Sequence, residues 1–118
     1  IVREDPNAPA LESPVTSFGV GNDDCAVNAS TTFGTETSEI YLVVTAVNTP
    51  ANTSFGSRWL REGDVLTEVD FSLNFEIERA CIWFFVDQTD FVFTAGTYTV
   101  ELILNGAPTG QIITFNIQ

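Results

Sequence analysis

Nowhere in this chain do apolar residues recur at helical spacing over three turns. From Val15 onward, short runs rich in Val, Ile, Phe, Tyr and Thr alternate with clusters of Gly, Asn, Asp and Thr. A chain punctuated this way can bury its apolar side chains only by pairing strands, so the pattern predicts an all-β domain. The expected strands are Val15 to Gly21, Glu39 to Asn48, Phe55 to Glu62, Val65 to Ser72, Ala80 to Asp87, Thr97 to Asn105 and Gln111 to Ile117. About seven such strands predict one antiparallel β-sandwich over residues 15–118, and 118 residues suit a single domain with a modest core.

Turn chemistry supports the antiparallel reading. Glu62-Gly63-Asp64 supplies the positive-φ residue of a tight hairpin. Asn105-Gly106 gives a second turn signal, followed by Ala107-Pro108-Thr109-Gly110 before the last strand. The Thr- and Ser-rich segment from Thr31 to Ser38 fits either a surface loop or a short edge strand. Residues 1–14 carry Pro6, Pro9 and Pro14 without periodicity and are expected to form an extended tail or linker.

Sixteen acidic residues stand against four arginines, with no lysine and no histidine, for a formal charge of -12. That balance disfavours nucleic acid and anionic membranes as partners through Coulomb repulsion. No apolar run approaches a membrane span, so membrane insertion is not expected, and Ile1-Val-Arg-Glu-Asp-Pro-Asn7 lacks a signal-peptide layout. Cys25 and Cys81 show no metal-binding spacing and are expected to form a disulfide, the alternative being two free buried thiols in a reducing compartment. The bond implies an extracellular or cell-surface location. Asn28 and Asn52 head Asn-x-Ser/Thr triplets and are candidate glycosylation positions.

Trp59-Leu60-Arg61-Glu62-Gly63 resembles the tryptophan-bearing strand and turn of immunoglobulin-like domains. Ala95-Gly96-Thr97-Tyr98-Thr99-Val100 resembles their tyrosine corner. The ending, Tyr98 to Gly106 and then Ile113 to Ile117, is similar to the last hairpin of immunoglobulin-like modules on bacterial surface and secreted proteins. This resemblance spans roughly Val15 to Ile117 and implies an immunoglobulin-like sandwich with Trp59 and Tyr98 in its core. The second cysteine of an antibody-type domain would fall at Val100, so the family's usual inter-sheet disulfide is absent.

Enzyme chemistry has few groups to draw on, since neither histidine nor lysine is present and both cysteines are expected to be oxidised. The pairs Glu76/Glu78 and Asp87/Asp90 are the carboxylate combinations available, and no enzymatic activity or cofactor is expected. Asn22-Asp23-Asp24 and Asp87-Gln88-Thr89-Asp90 are oxygen-rich clusters, which makes Asp23, Asp24, Asp87 and Asp90 weak calcium candidates, although neither cluster has EF-hand spacing. Arg58 and Arg61 are expected to pair with acids.

Glu39 to Val47 and Cys81 to Val86 are apolar at nearly every position, and ten phenylalanines exceed what one small core needs. Apolar side chains on both faces of a strand imply central burial or a docking surface. Tyr41, Val43, Ile82 and Phe84 are therefore candidate interface residues, and the proline-bearing tail could reach a neighbouring subunit. The expected role is a non-enzymatic extracellular structural or adhesive module whose partner is protein, in its sharpest form a self-assembling filament subunit. A carbohydrate-binding module, with glycans stacked on Trp83 and Tyr41, is the rival.

Overall fold

The computed structural model describes residues 8–118. Among these residues the fold is all-β, with two packed sheets and no helix. The strands are β1 (Ala10–Val20), β2 (Ala26–Ala29), β3 (Thr32–Phe33), β4 (Glu39–Thr49), β5 (Thr53–Arg61), β6 (Asp64–Leu73), β7 (Ile77–Asp87), β8 (Gly96–Leu104) and β9 (Ala107–Ile117). One sheet runs β2-β1-β4-β7 and the other β3-β9-β8-β5-β6. The expected count of seven thus becomes nine. Each expected strand is present, and two short ones, β2 and β3, are added between β1 and β4. The undecided segment after Thr31 begins with β3, which pairs in parallel with the end of β9.

Sequence chemistry accounts for the hairpins. Glu62 (φ 51°) and Gly63 (φ 86°) connect the paired residues Arg61 and Asp64, and Asn105 (φ 51°) and Gly106 (φ 80°) connect Leu104 and Ala107. Two consecutive positive-φ residues twist the chain in the sense of the flanking strands, which makes both loops type I′ turns.

The two largest departures from the expected boundaries each lie at a proline, while β7 starts three residues early at Ile77. β1 starts at Ala10 rather than Val15, so residues 10–14 belong to the sheet; the part of the expected tail on residues 1–7 lies outside the described residues. The register against β4 shifts between Glu12 and Val15, with Ser13 at φ 52°. That bulge is where a strand can accommodate Pro14, which has no N–H for the ladder. β9 starts at Ala107 rather than Gln111, with Pro108 opposite Ile103 and Gly110 at φ 86°, beside a register shift on β8 between Glu101 and Ile103.

The core forms from alternate residues on facing strands. β4 contributes Ile40, Leu42, Val44 and Ala46, and β7 contributes Ile82, Phe84 and Val86, with Ile77 at its start buried out of that alternation. The other sheet supplies Phe55 and Trp59, Tyr98, Val100 and Leu102, and Phe115 and Ile117. Trp59 and Tyr98 are each 1% exposed, as the resemblance implied. Phe115 joins them, with its ring centroid 5.8 Å from Trp59 and 5.4 Å from Tyr98. Burying an indole requires a partner for its N–H, and Ser57 Oγ accepts it at 2.9 Å while itself donating to the Val69 carbonyl at 3.3 Å.

Cys25 and Cys81 form the expected disulfide, with Cα atoms 5.1 Å apart. The bond ties the loop between β1 and β2 to β7, which lies in the same sheet as both strands, so it braces one sheet and does not connect the two.

Candidate functional site

β7 and β6 are edge strands of opposite sheets on the same side of the sandwich, joined by the short link Asn74-Phe75-Glu76. β7 pairs with β4 in an unbroken antiparallel register from Ile77 to Asp87 and, among the described residues, has no strand on its other side. Between the two edges runs a groove of about 500 Å³, lined by Val69, Phe71, Leu73, Phe75, Ile82 and Phe84, with Asp24 and Asp70 among its few charged residues. Phe71 meets Phe84 across its floor at 5.1 Å between ring centroids. Phe75 is 55% exposed at the rim.

Strand parity decides which way the apolar run on β7 faces. Ile82 and Phe84, expected as interface residues, are 6% and 1% exposed and belong to the core. They face outward at neither position; the outward side chains are Trp83 and Phe85. Val43 is also buried, although it lies opposite Trp83 in the ladder and outside the core cluster. Tyr41 is half-buried and forms an aromatic cluster with Trp83 (5.7 Å) and Phe85 (5.7 Å), which are 6.1 Å from each other.

Polar groups rim that cluster. The Tyr41 hydroxyl donates to Glu39 Oε2 at 3.0 Å; burial first, and then the Glu39 carboxylate, raise its pKa above the ordinary phenol range. Trp83 Nε1 donates to Asp24 Oδ1 at 3.1 Å, so the indole is held by the residue preceding Cys25. Three rings at interplanar angles of 33° to 63° make a faceted surface rather than a flat one.

The other candidates fall elsewhere. Asp23 Oδ1 accepts the Cys25 amide at 3.1 Å and Asp90 Oδ2 accepts the Asp87 amide at 2.9 Å. The Asp87 carboxylate is held below its ordinary pKa range by the Thr89 hydroxyl first and then by the Thr89 amide. Each of these carboxylates thus bonds within its turn or, for Asp24, to Trp83. No group of three or more metal-binding acids or cysteines stands together among the described residues. Glu76 and Glu78 border a separate hollow of about 330 Å³ beside Asn48 and Thr49. Asn28 and Asn52 are exposed at φ 57° and 68°.

Arg58 behaves as expected, reaching Glu68 at 2.7 Å and Glu101 at 3.4 Å. Arg61 does not. It donates to Thr94 Oγ1 at 2.6 Å and to the Ala95 carbonyl at 3.0 Å, and its guanidinium lies 5.5 Å from the Tyr98 ring centroid. Sequence reasoning missed this brace because charge alone directs an arginine toward acids, whereas the strand brings Arg61 opposite Tyr98 in the ladder. It also missed Phe75, which lies in a short link between strands. Phe85 was legible in principle, since it shares its parity with Trp83.

No helix of the described residues is long and apolar enough to cross a membrane. No family model matches the chain, and no curated protein matches it.

Proposed function

We propose that this chain is an immunoglobulin-like domain acting as a non-enzymatic extracellular structural module that associates with further copies of itself. Three features support the immunoglobulin-like arrangement. The first, second and fifth long strands (β1, β4, β7) share one sheet, and the remaining four share the other in the order β9-β8-β5-β6. The Tyr98 hydroxyl donates to the Thr94 carbonyl at 2.6 Å, the bond of a tyrosine corner. Trp59 lies in the core on the third long strand. The disulfide favours an oxidising compartment, hence the extracellular assignment.

The observation that carries self-association is the long unpaired edge of β7 beside an apolar groove. An unpaired strand presents free N–H and C=O groups to any second strand, and the groove offers apolar area to bury with it. A filament subunit is the sharpest form of this reading. Sedimentation velocity across a concentration series, with electron microscopy of the concentrated sample, tests it. Concentration-dependent oligomers or filaments are the expected result; a monomer at every concentration refutes it.

The aromatic cluster of Tyr41, Trp83 and Phe85 favours a second reading, carbohydrate binding, because apolar ring faces flanked by Glu39 and Asp24 suit a sugar's C–H and O–H faces. Retarded migration through gels containing soluble polysaccharide, abolished by Trp83→Ala at unchanged melting temperature, would establish it.

A further inference from the structure

Four strand edges bound the two sheets, and three of them carry features that discourage pairing. β2 is four residues long and has Asn28 at positive φ. β9 carries Pro108 and the positive-φ Gly110, and its far end is covered by β3. β6 presents Asp64, Glu68 and Asp70. These are the usual means of keeping one sheet edge from joining another. β7 has neither the shortness, the proline nor the positive φ, and its charges, Glu78, Arg79 and Asp87, lie only towards its ends. It is eleven residues long, has no proline, lysine or bulge, and is uncharged from Ala80 to Val86.

We infer that two copies of this chain join antiparallel along β7 about a two-fold axis at Trp83, which deepens the self-association reading and rests on it. Backbone geometry restricts the register. On an edge strand, alternate residues point both N–H and C=O away from the sheet, and in a symmetric antiparallel pair such residues must oppose one another. Paired residues must then have the same parity, so the axis passes through a residue and not between two. Among those choices, charge selects one. With the axis at Ile82, Arg79 opposes Phe85 and Asp87 opposes Ile77; with it at Phe84, Asp87 opposes Cys81 and Arg79 lies beyond the end of the second copy's strand at Asp87. With the axis at Trp83, Arg79 opposes Asp87 of the second copy at both ends of the seam.

That register also matches the faces. Arg79, Cys81, Trp83, Phe85 and Asp87 share the outer side of β7, opposite to core residues Ile82, Phe84 and Val86. Directly opposed side chains on one face stand about 5 Å apart at Cβ. Trp83 then meets its symmetry mate, Phe85 faces the second copy's disulfide, and the uncharged centre of the strand leaves the solvent. Arg79 is exposed in the single chain, where among the described residues it makes a surface ion pair with Glu12 at 3.0 Å, so its guanidinium can reach a second carboxylate.

The test combines sedimentation equilibrium with amide hydrogen exchange on the whole chain at low and high concentration. The expected result is a dimer in which outward-pointing amides of Ala80 to Val86 gain protection as concentration rises. Arg79→Glu should weaken the dimer about tenfold, since it sets like charges opposite at both ends of the seam, and adding Asp87→Lys to it should restore affinity. Removal of residues 1–7 should leave the dimer intact. A monomer up to about 1 mM overturns both this inference and the reading beneath it. Oligomers in which β7 exchange does not depend on concentration overturn only the inference. Protection of β7 with indifference to Arg79→Glu overturns the register. Loss of association on removing residues 1–7 identifies that segment as the strand that occupies the edge and overturns the symmetric pairing. The melting temperatures of the variants, read alongside, separate lost association from lost folding.

Discussion

Replacing both Cys25 and Cys81 by alanine tests how much of this fold's stability is held in its unfolded chain. The bond closes a loop with a sequence separation of 56 residues. Loop-closure entropy for a ring of that size amounts to about 14 cal/mol/K, or about 4 kcal/mol at 25 °C, removed from the unfolded ensemble while the bond is intact. The unfolding entropy of a domain this size is about 250 cal/mol/K near its midpoint, so the loss should lower the melting temperature by about 17 °C. Reversible thermal and urea unfolding of the double variant, beside the oxidised chain, gives both numbers. The urea m-value should also rise, because the released unfolded chain exposes more surface. A loss of less than about 1 kcal/mol with unchanged m would refute the reasoning, since the constraint would then be redundant with residual structure in the unfolded chain.

Three further perturbations follow from the core, the corner and the charge. Trp59→Ala should cost about 3 to 5 kcal/mol in urea unfolding through the cavity it leaves beside Phe115, without affecting any interaction at the β7 edge. Tyr98→Phe should cost about 1 kcal/mol, the net worth of the hydrogen bond to Thr94, and leave the ring stacking on Phe115 unchanged. Raising the ionic strength from about 10 mM to about 150 mM shortens the screening length from about 30 to about 8 Å, so two chains of net charge -12 should associate more tightly as salt is added. Weaker association in salt, measured by sedimentation, would mean that the Arg79 and Asp87 pairs outweigh the general repulsion.

The strands and hairpins were legible because alternation and positive-φ turn residues are local signals. Glu62-Gly63 and Asn105-Gly106 each specify a two-residue turn without reference to the rest of the chain. Prolines misled at both ends, because Pro14 and Pro108 read as breaks when the sheet accommodates them at a bulge and on an edge. The face of β7 was not legible at all. Cys81 to Val86 is apolar at every position, as is most of β4 beside it, so neither strand's pattern says which parity faces in. A one-residue slip exchanges Ile82 and Phe84 for Trp83 and Phe85, and only packing against the second sheet chooses between them. The groove was hidden for a related reason: it joins β6 and β7 side chains through the relative placement of two sheets, which no local pattern encodes.

The disulfide also sets how the chain would respond to a pull on its ends. Its two cysteines enclose β2 to β6 and the start of β7, so tension applied at the termini passes through the sulfur bridge and around those strands. Only β1, the remainder of β7, β8 and β9 can be drawn out. At about 3.5 Å per extended residue, the enclosed segment withholds roughly 200 Å of contour length. Stretched oxidised, the domain should yield about half the extension that its residue count allows, and reduction should release the rest.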